Sequence, residues 1–218
     1  MKPLKSETQD TATLQELGRA SVQIVHDLKN QLNGLKLYAT FLRKRMEKAD
    51  RPEDEQETVA KLIAGLERAA ADMTVLVRMG RPLELRRQPQ TDLTKMVTAL
   101  EAEEAVQVEA DTRLTGEFDL AAITEALRTI TSSALGMRPA GEAKGLRVSL
   151  RPDEDARHAV IEWGGVKLNN GDDPFHSFAG SEGLRMSLAA KIIEGHGGTA
   201  AYDGSGALRV RLPIEQQG

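Results

Sequence analysis

Apolar and small residues recur at steps of three and four positions along the first part of the chain. From Leu14 the repeat runs through Gly18, Ser21, Val25, Leu28, Leu32, Leu35, Ala39, Leu42 and Met46. This is the heptad spacing of a long bundle helix. The stretch "ADRPEDE" then places Pro52 and acidic residues where a new helix can begin. The pattern predicts that the first helix ends near Lys48 and that a second helix follows.

A second apolar repeat predicts the partner helix of a hairpin. Its positions are Val59, Leu62, Leu66, Ala69, Met73 and Leu76. Gly80 and Pro82 interrupt the repeat and predict the end of this helix. Two antiparallel helices cannot bury faces this wide on their own, whereas two copies of the hairpin can. We therefore expect residues 1–85 to form a helical hairpin that dimerises, through residues 14–77, into a four-helix bundle.

The remainder of the chain alternates between short helical and strand patterns. The segments "TDLTKMVTALEAE", with Thr91 or Asp92 as its cap, "DLAAITEALRTITSSALGM" and "SLAAKIIEGHGG" are predicted to be helices. The segments "VQVEAD", "LRVSLRP" and "HAVIEW" are predicted to be strands, and "TAAYDGSGALRVRLPI" a closing hairpin. Residues 86–218 are thus predicted to form an α/β sandwich with a mainly antiparallel sheet and helices on one face. The fold class of the whole chain is α+β.

Composition narrows the chemistry that this fold can carry. The formal net charge of −4 and the isoelectric point near 5.7 give no reason to expect nucleic acid as a partner. The 218 residues include no cysteine, which excludes disulfides, thiolate catalysis and cysteine–zinc sites. No apolar run approaches the roughly 20 residues that a membrane helix needs, and "MKPLKSETQD" lacks the apolar stretch of a signal peptide. We expect a cytoplasmic protein without a membrane partner.

His26 is the candidate for covalent chemistry on the first helix. Val25 and Leu28 belong to the apolar repeat, so His26 lies one step outside it, with Asp27 beside it. Asn30 and Asn33 lie on the same outward stripe. A neutral imidazole is a competent nucleophile, a carboxylate can orient it or accept its proton, and an asparagine can hold an attacking water. On spacing alone, an ordinary solvated helix face is the commoner explanation.

The sequence "HDLKNQL" (His26 to Leu32) resembles the phosphoacceptor box of sensor histidine kinases, whose pattern is His-Glu/Asp-x-x-Asn/Thr-x-Leu on the first helix of a dimeric bundle. The resemblance implies that His26 accepts the phosphoryl group and that Asp27 is its acid–base neighbour. It also implies that Asn30 orients water for phosphatase activity.

Residues near the box are the predicted contacts for a partner protein. These are Lys29, Asn33, Leu37 and Phe41. Leu37 and Phe41 fall outside the apolar repeat, about three and four turns below His26 on its own side of the helix. They can form a groove for a helix of the partner. The alternative is that they pack against the second helix or the second domain.

Residues 89–214 resemble the ATP-binding domain of the same kinases, which shares its fold with gyrase-type ATPases. The best match is "GLRMSLAAKIIEGHGG", which is similar to the last helix and its His-Gly-Gly end. The residues that bind nucleotide in that family are largely replaced. Ser133 lies where an asparagine would hold magnesium. At the end of "HAVIEW" Gly165 remains, but no aspartate is in register to accept from adenine.

The family's phosphate-binding Gly-x-Gly-x-Gly loop has also changed. The corresponding stretch, "SEGLRMS", retains Gly183 but has Ser181 and Arg185 in place of glycines. Arg185 can attract phosphate, but its side chain crowds the approach to the backbone N–H groups. We therefore expect no bound cofactor and no metal site, and we expect Trp163 to be a core residue that fills the emptied pocket. Phe175 to Phe178 can pack down as a fixed cover where the family has a mobile lid, and His196 is predicted to be structural.

Together these resemblances imply a two-component phosphorelay protein. It is similar to dimeric histidine phosphotransferases, which keep the bundle and a degenerate ATPase-like domain. His26 would pass a phosphoryl group between the aspartates of response-regulator receiver domains, and the receiver would supply the Mg²⁺. Two alternatives remain open: an active sensor histidine kinase with a divergent ATP site, and a non-catalytic scaffold or phosphatase for a response regulator.

Overall fold

A computed structural model of the chain describes residues 5–47, 53–103, 106–110, 112–139, 145–168 and 173–215. The chain separates into two compact units, Met1–Pro82 and Leu83–Gly218. Each unit has its own core, and each is described below by itself. No helix within the described ranges combines the length and the apolar character that crossing a bilayer requires.

The first unit is a helical hairpin of α1 (Lys5–Glu47) and α2 (Glu53–Gly80). Its buried core lies toward the connection between the helices, where Ala39 packs with Val59 and Ile63. An ion pair between Lys36 Nζ and Glu67 Oε1, 2.7 Å apart, links the two helices beside this core. The hydrogen bond from Lys36 holds the pKa of the Glu67 carboxyl below its usual value. The predicted bundle positions Leu14 and Gly18 lie outside the residues whose side chains are described.

Part of the apolar repeat of α1 is not covered by α2. Leu28, Leu35 and Leu42 follow one another at intervals of seven residues, and all three are exposed in the single chain. On α2, Leu62 and Leu76 are exposed as well. The hairpin therefore buries one side of its apolar repeat and leaves a second side open to solvent.

The second unit contains seven strands and three α-helices in its described residues. In chain order these are β1 (Gln88–Asp92), α3 (Leu93–Glu103), β2 (Val106–Ala110), β3 (Thr115–Phe118), α4 (Leu120–Gly136), β4 (Leu146–Pro152), β5 (His158–Gly164), α5 (Gly180–Gly195), β6 (Thr199–Tyr202) and β7 (Ala207–Pro213). A short 3₁₀ turn, Pro174–His176, precedes α5. Five strands form one sheet in the order β2-β4-β5-β7-β6, in which β2 and β4 are parallel and the other neighbours are antiparallel.

Strand alternation and helix periodicity explain the core of this unit. Leu208, Val210 and Leu212 alternate along β7 and are fully buried, as expected for a sheet with one covered face. Helix α4 turns Ile123, Leu127 and other buried side chains inward. The Asp119 carboxylate caps α4 by accepting from the Ala122 N–H at 3.0 Å, and this bond lowers the pKa of Asp119.

The hairpin followed by an α/β sandwich with a mainly antiparallel sheet agrees with the sequence prediction. Two features differ from it. Strands β1 and β3 pair antiparallel in a separate two-stranded sheet that was not predicted. Helix α5 begins at Gly180, well before the predicted "SLAAKIIEGHGG", so that "GSEGLRM" is helical rather than a loop.

Candidate functional site

The imidazole of His26 lies on the surface of α1, with 48% of its side chain exposed. Its Nδ1 atom is 3.6 Å from Asp27 Oδ1 and 3.4 Å from Asn30 Nδ2. Both neighbours are on the Nδ1 side of the ring. Among the described residues, no group bonds to Nε2, so this nitrogen faces solvent and is accessible to a reacting group.

The two neighbours of His26 favour different tautomers. A carboxylate can only accept, so Asp27 favours the tautomer with the proton on Nδ1 and the lone pair on Nε2. The Asn30 amide nitrogen is a donor and favours a lone pair on Nδ1. The first tautomer is the one in which the exposed Nε2 can act as a nucleophile. Asn30 is the closer neighbour at 3.4 Å, whereas the Asp27 carboxylate at 3.6 Å acts on the ring through its charge rather than through a direct hydrogen bond.

The other predicted site residues of the hairpin occupy different positions on α1. Asn33 is exposed and Lys29 is half-buried. Leu37 and Phe41 are large apolar side chains that remain 55% and 60% exposed. Neither side chain belongs to the buried core between α1 and α2. We call His26, Asn30, Asn33, Leu37 and Phe41 the outer stripe of α1.

The outer stripe is distinct from the uncovered part of the apolar repeat. At about 100° per residue, Leu37 is roughly 20° around the helix from His26, and Phe41 roughly 60°. By the same geometry, Leu28, Leu35 and Leu42 lie roughly 160–200° away from His26. We call these three leucines the inner stripe. Helix α1 thus exposes apolar side chains on two opposite faces.

In the second unit, Trp163 occupies the end of β5, where the kinase family has its adenine-binding aspartate. The indole is fully buried, and its Nε1–H donates to Thr131 Oγ1 on α4 at 2.9 Å. The Thr131 hydroxyl in turn donates to the Leu127 carbonyl at 2.8 Å. Trp163 is therefore a core residue, as predicted, and it fills the space between β5 and α4. Ser133 is also buried.

The stretch "SEGLRMS", which corresponds by resemblance to the phosphate-binding loop of the kinases, is in contact with the segment that precedes α5. Gly183 is buried in the first turn of α5. A Cβ added at Gly183 would lie 2.8 Å from the backbone carbonyl oxygen of Ser177, and Ser187 Oγ donates to the same oxygen at 2.8 Å. The segment before α5 therefore lies directly against the helix, and no room is left for a side chain at Gly183.

Phe175 to Phe178 were predicted to pack down as a fixed cover, and only the first of the two phenylalanines is buried. Phe175 is buried, and its N–H donates to Asp173 Oδ1 at 3.0 Å. Phe178 is instead 66% exposed, so the prediction that it packs down is wrong. Of the remaining nucleotide positions, Arg185 is exposed on α5, and Gly165 is an exposed turn residue with a φ of +82°.

His196 has a structural role at the end of α5, as predicted. Its ring is buried, with Nδ1 bonded to the Ile192 carbonyl at 2.8 Å, while Nε2 accepts from the Asp119 N–H at 3.0 Å. Because Nε2 accepts, the ring is neutral and its proton is on Nδ1. Burial lowers the pKa of His196 below its ordinary value.

The surface of the described residues includes two cavities, each within a single unit. One, of about 620 Å³, lies near the connecting end of the hairpin and is lined by residues that include Leu42, Met46 and Val59. The other, of about 460 Å³, lies in the second unit among β1, α3 and α4. Neither is lined by Ser133, Gly165, Gly183 or Arg185. Within the same residues, no group of three or more histidine and acidic side chains is arranged to hold a metal ion.

No protein-family model matches the sequence, and no curated protein matches it either. Solved structures of histidine kinases do resemble the fold. Full-length ShkA in complex with AMPPNP aligns with a TM-score of 0.65 at 13% identity, over 89% of this chain and 45% of that chain. The histidine kinase ThkA in complex with the response regulator TrrA aligns with a TM-score of 0.54 at 14% identity, over 99% of this chain and 69% of that chain.

A third solved structure, AdeS from Acinetobacter baumannii, is also a histidine kinase. It aligns with a TM-score of 0.51 at 18% identity, over 88% of this chain and 98% of that chain. This chain spans less than half of the ShkA chain that it matches. The likenesses show that the fold is that of a histidine kinase catalytic core, with a helical hairpin followed by an ATPase-like α/β domain, as the sequence predicted.

Proposed function

We propose that this chain is a dimeric histidine phosphotransferase of a two-component system, which passes phosphoryl groups between receiver-domain aspartates through His26. The observation that carries the proposal is the environment of the His26 ring. Its Nδ1 faces Asp27, while Nε2 has no partner among the described residues. The setting is the first helix of a histidine kinase fold, where the family resemblance predicts a phosphoacceptor.

The transfer step uses the groups on this surface. The Nε2 lone pair attacks the phosphorus of a receiver phosphoaspartate, the P–N bond forms, and the P–O bond to the aspartate breaks. The electron pair of that bond leaves on the receiver carboxylate. Asp27 stabilises the proton that remains on Nδ1 as positive charge develops on the ring. The reverse step, with a second receiver, regenerates the neutral imidazole, and each receiver supplies its own Mg²⁺.

The inner stripe supports the dimeric part of the proposal. Leu28, Leu35 and Leu42 are exposed in the single chain although they continue a heptad repeat. A contiguous exposed apolar surface of this kind marks an interface. A second hairpin that packs its own inner stripe against this one completes a four-helix bundle.

The outer stripe supports a receiver domain as the partner. Leu37 and Phe41 offer exposed apolar surface on the same side of α1 as His26, and Lys29 and Asn33 lie between His26 and Leu37 along the helix. A helix of the partner that packs there can bring its aspartate up to His26. The kinase ThkA was solved with a response regulator, TrrA, which is a partner of this class.

Two observations favour phosphotransfer over ATP-driven phosphorylation. Trp163 occupies the adenine side of the former nucleotide site, and Ser177 presses on the glycine of the former phosphate loop. A chain without ATP must obtain its phosphoryl group from another phosphoprotein. We therefore propose no cofactor for this chain. Kinase activity would require Trp163 to leave its position beside Thr131 and Ser177 to move away from Gly183.

The decisive experiment incubates the purified protein with each phosphorylated receiver domain of its organism and follows the label. Wild type is expected to become labelled on a phosphoramidate, which is stable to base and labile to acid. His26→Gln is expected to remain unlabelled and to keep its oligomeric state, because the position is exposed. His176→Gln, which replaces an exposed histidine of the second unit, is the matched control and should still be labelled.

Three outcomes separate the candidate functions. Labelling from a receiver without ATP supports the phosphotransferase. Labelling from Mg-ATP alone identifies the kinase. If no receiver labels the wild type, or if His26→Gln is labelled equally well, the phosphotransferase proposal fails and a scaffold remains.

A phosphatase is the second candidate, favoured by the position of Asn30. Its amide nitrogen lies 3.4 Å from the His26 ring, within reach of a water that approaches the same phosphorus. If the chain hydrolyses receiver phosphate, Asn30→Ala is expected to slow the loss of that phosphate while it leaves labelling of His26 intact. Slower labelling with unchanged hydrolysis would contradict this role.

A further inference from the structure

The second unit contains a groove that is lined by none of the nucleotide positions considered above. It has a volume of about 460 Å³ and lies between helices α3 and α4, with β1 along one wall. Met96 and Leu100, both buried, form its apolar floor, and Leu120 stands at its rim with 52% of its surface exposed. This volume is within the range of small-molecule sites, which run from roughly 300 to 1,000 Å³.

The charged side chains around the groove give it a positive rim. Lys95 and Arg128 line it together with one carboxylate, that of Asp92. Asp92 is already engaged, because its Oδ2 accepts from Arg113 Nε at 2.9 Å and its Oδ1 accepts from the Lys95 backbone N–H at 3.0 Å. Among the described residues, the Lys95 ammonium group has no carboxylate partner. A ligand with a negative charge and an apolar part therefore complements the groove.

The β1 wall is unsuited to binding an extended peptide as an added strand. Pro89 has no N–H to donate, and the pairing of β1 shifts in register between Gln88 and Thr91. Gln90 has a φ of +54°, and its N–H already donates to Glu215 Oε1 at 3.1 Å. Interruptions of this kind protect a strand edge from further pairing. The groove is thus shaped for a compact ligand rather than for a strand.

We propose that this groove binds a small amphiphilic anion, namely a carboxylate attached to a short apolar chain. The apolar chain lies against Met96 and Leu120, and the carboxylate pairs with Lys95 at the rim. Such a site lies outside the former nucleotide positions and is independent of phosphotransfer. It gives the second unit a ligand of its own.

Octanoate is the probe, and the methionine methyl groups of the full-length protein are the reporter. In a ¹³C-methyl NMR spectrum of the seven methionines, the signal of Met96 reports on the groove. That signal is assigned as the one that is absent from the spectrum of Met96→Leu. Low millimolar octanoate is expected to shift that signal in a saturable manner. Acetate has the charge without the chain, and 1-octanol has the chain without the charge; both are expected to bind more weakly than octanoate.

Two variants test separately the apolar contact and the charge interaction that octanoate would make in the groove. Leu120→Ser is expected to weaken octanoate binding about 5-fold through loss of apolar contact. Lys95→Ala should weaken octanoate about 3-fold and leave octanol unchanged. Lys167→Ala, an exposed lysine away from the groove, is the control and should bind octanoate like the wild type.

Several results would overturn the proposal. An unmoved Met96 signal at saturating octanoate would do so, as would octanol binding that equals octanoate. The same holds if both groove variants bind like the wild type. If the amphiphiles leave Met96 unmoved but a phosphorylated receiver shifts it, the groove is a protein-docking surface and the small-anion site is wrong.

Discussion

Leu35 and Leu37 are two residues apart on α1 and almost equally exposed, at 53% and 55%, yet they face opposite sides of the helix. Two residues correspond to roughly 200° of helical turn. Leu35 belongs to the inner stripe, and Leu37 to the outer stripe below His26. The pair therefore places the proposed dimer face and the proposed receiver-docking face within a single turn of helix.

This pair gives the first prediction. Leu35→Asp places a carboxylate in the proposed dimer interface, where it would be buried without a partner, and is expected to produce monomers. Leu37→Asp is expected to remain a dimer and to accept phosphate more slowly from its receiver. Light scattering reports the assembly, and labelling kinetics report the transfer. A wild-type monomer at micromolar concentration, or a dimeric Leu35→Asp, would contradict the dimer.

The second prediction concerns Asp27, whose carboxylate lies 3.6 Å from Nδ1 of His26. Asp27→Asn removes the charge that favours the reactive tautomer, and is expected to slow labelling of His26 by roughly 10²–10⁴-fold. Asp54→Asn, on the exposed first turn of α2, is the control and should label at the wild-type rate. Equal rates for Asp27→Asn and wild type would show that the carboxylate takes no part in the transfer.

The third prediction uses the chain's one tryptophan, which lies near the end of β5, where the family resemblance predicts an adenine-binding residue. Because the Trp163 indole is buried and bonded to Thr131, Mg-ATP at low millimolar concentration is expected to leave its fluorescence unchanged. Calorimetry under the same conditions should show no binding heat. Saturable quenching with a micromolar dissociation constant would instead favour the kinase alternative.

The fourth prediction tests how closely the chain covers α5. Gly183→Ala forces a methyl group against the Ser177 carbonyl oxygen, and is expected to lower the free energy of unfolding by about 1–3 kcal/mol. Gly136→Ala is the matched control at the end of α4, where the nearest atom to an added Cβ is the Glu182 side chain at 3.8 Å. It should be neutral or stabilise by up to about 1 kcal/mol. Urea unfolding followed by Trp163 fluorescence measures both, and equal stabilities would refute the close contact.

The fifth prediction follows from the lowered pKa of His196. Burial is the largest cause, and the nearby Arg87 guanidinium acts in the same direction, whereas the Ile192 carbonyl and Asp119 oppose it. The unfolded chain therefore binds a proton more readily than the folded one. The contribution of His196 to stability is complete above about pH 6.5 and is lost as the pH falls from there toward the folded-state pKa.

The measurement is urea unfolding of the second unit at several pH values between about 5 and 8. His196→Gln can preserve some of the hydrogen bonding without the titration, and is expected to flatten the pH dependence in this window. Asp119, whose pKa is lowered by backbone N–H donors, titrates in a more acidic range and does not confuse the result. A wild-type stability that is constant from pH 5 to pH 8 would contradict the prediction.

Helices and strands could be predicted from the sequence where the hydrophobic pattern of a segment matches the way that it packs in the fold. The helices α1, α2 and α4 were predicted because their apolar positions follow helical periods, and Asp119 marks the start of α4. Strand β7 carries the alternation of a half-buried sheet, and β5 carries a run of β-branched and apolar residues. The role of Trp163 could be predicted because a buried indole suits the space left by a missing aspartate.

The sequence was not sufficient where tertiary contacts override local pattern. Strand β1 is short and mostly exposed, and contains Pro89, so that its pairing with β3 left no hydrophobic signal. The start of α5 was missed because Gly180 and Gly183 are typical of a loop. Gly183 is instead required by the close approach of Ser177, which only the folded structure brings against it.

The contact between Trp163 and Thr131 also limits how the chain can change over time. An aspartate introduced at the end of β5 would leave a cavity the size of an indole and a carboxylate without a donor beside it, which together cost several kcal/mol. The segment at Ser177 would have to lift from α5 in addition. Each step alone is harmful, and a benefit follows only when all are complete. An aspartate at the end of β5 would therefore need several simultaneous changes in its surroundings, because no one of them is favourable by itself.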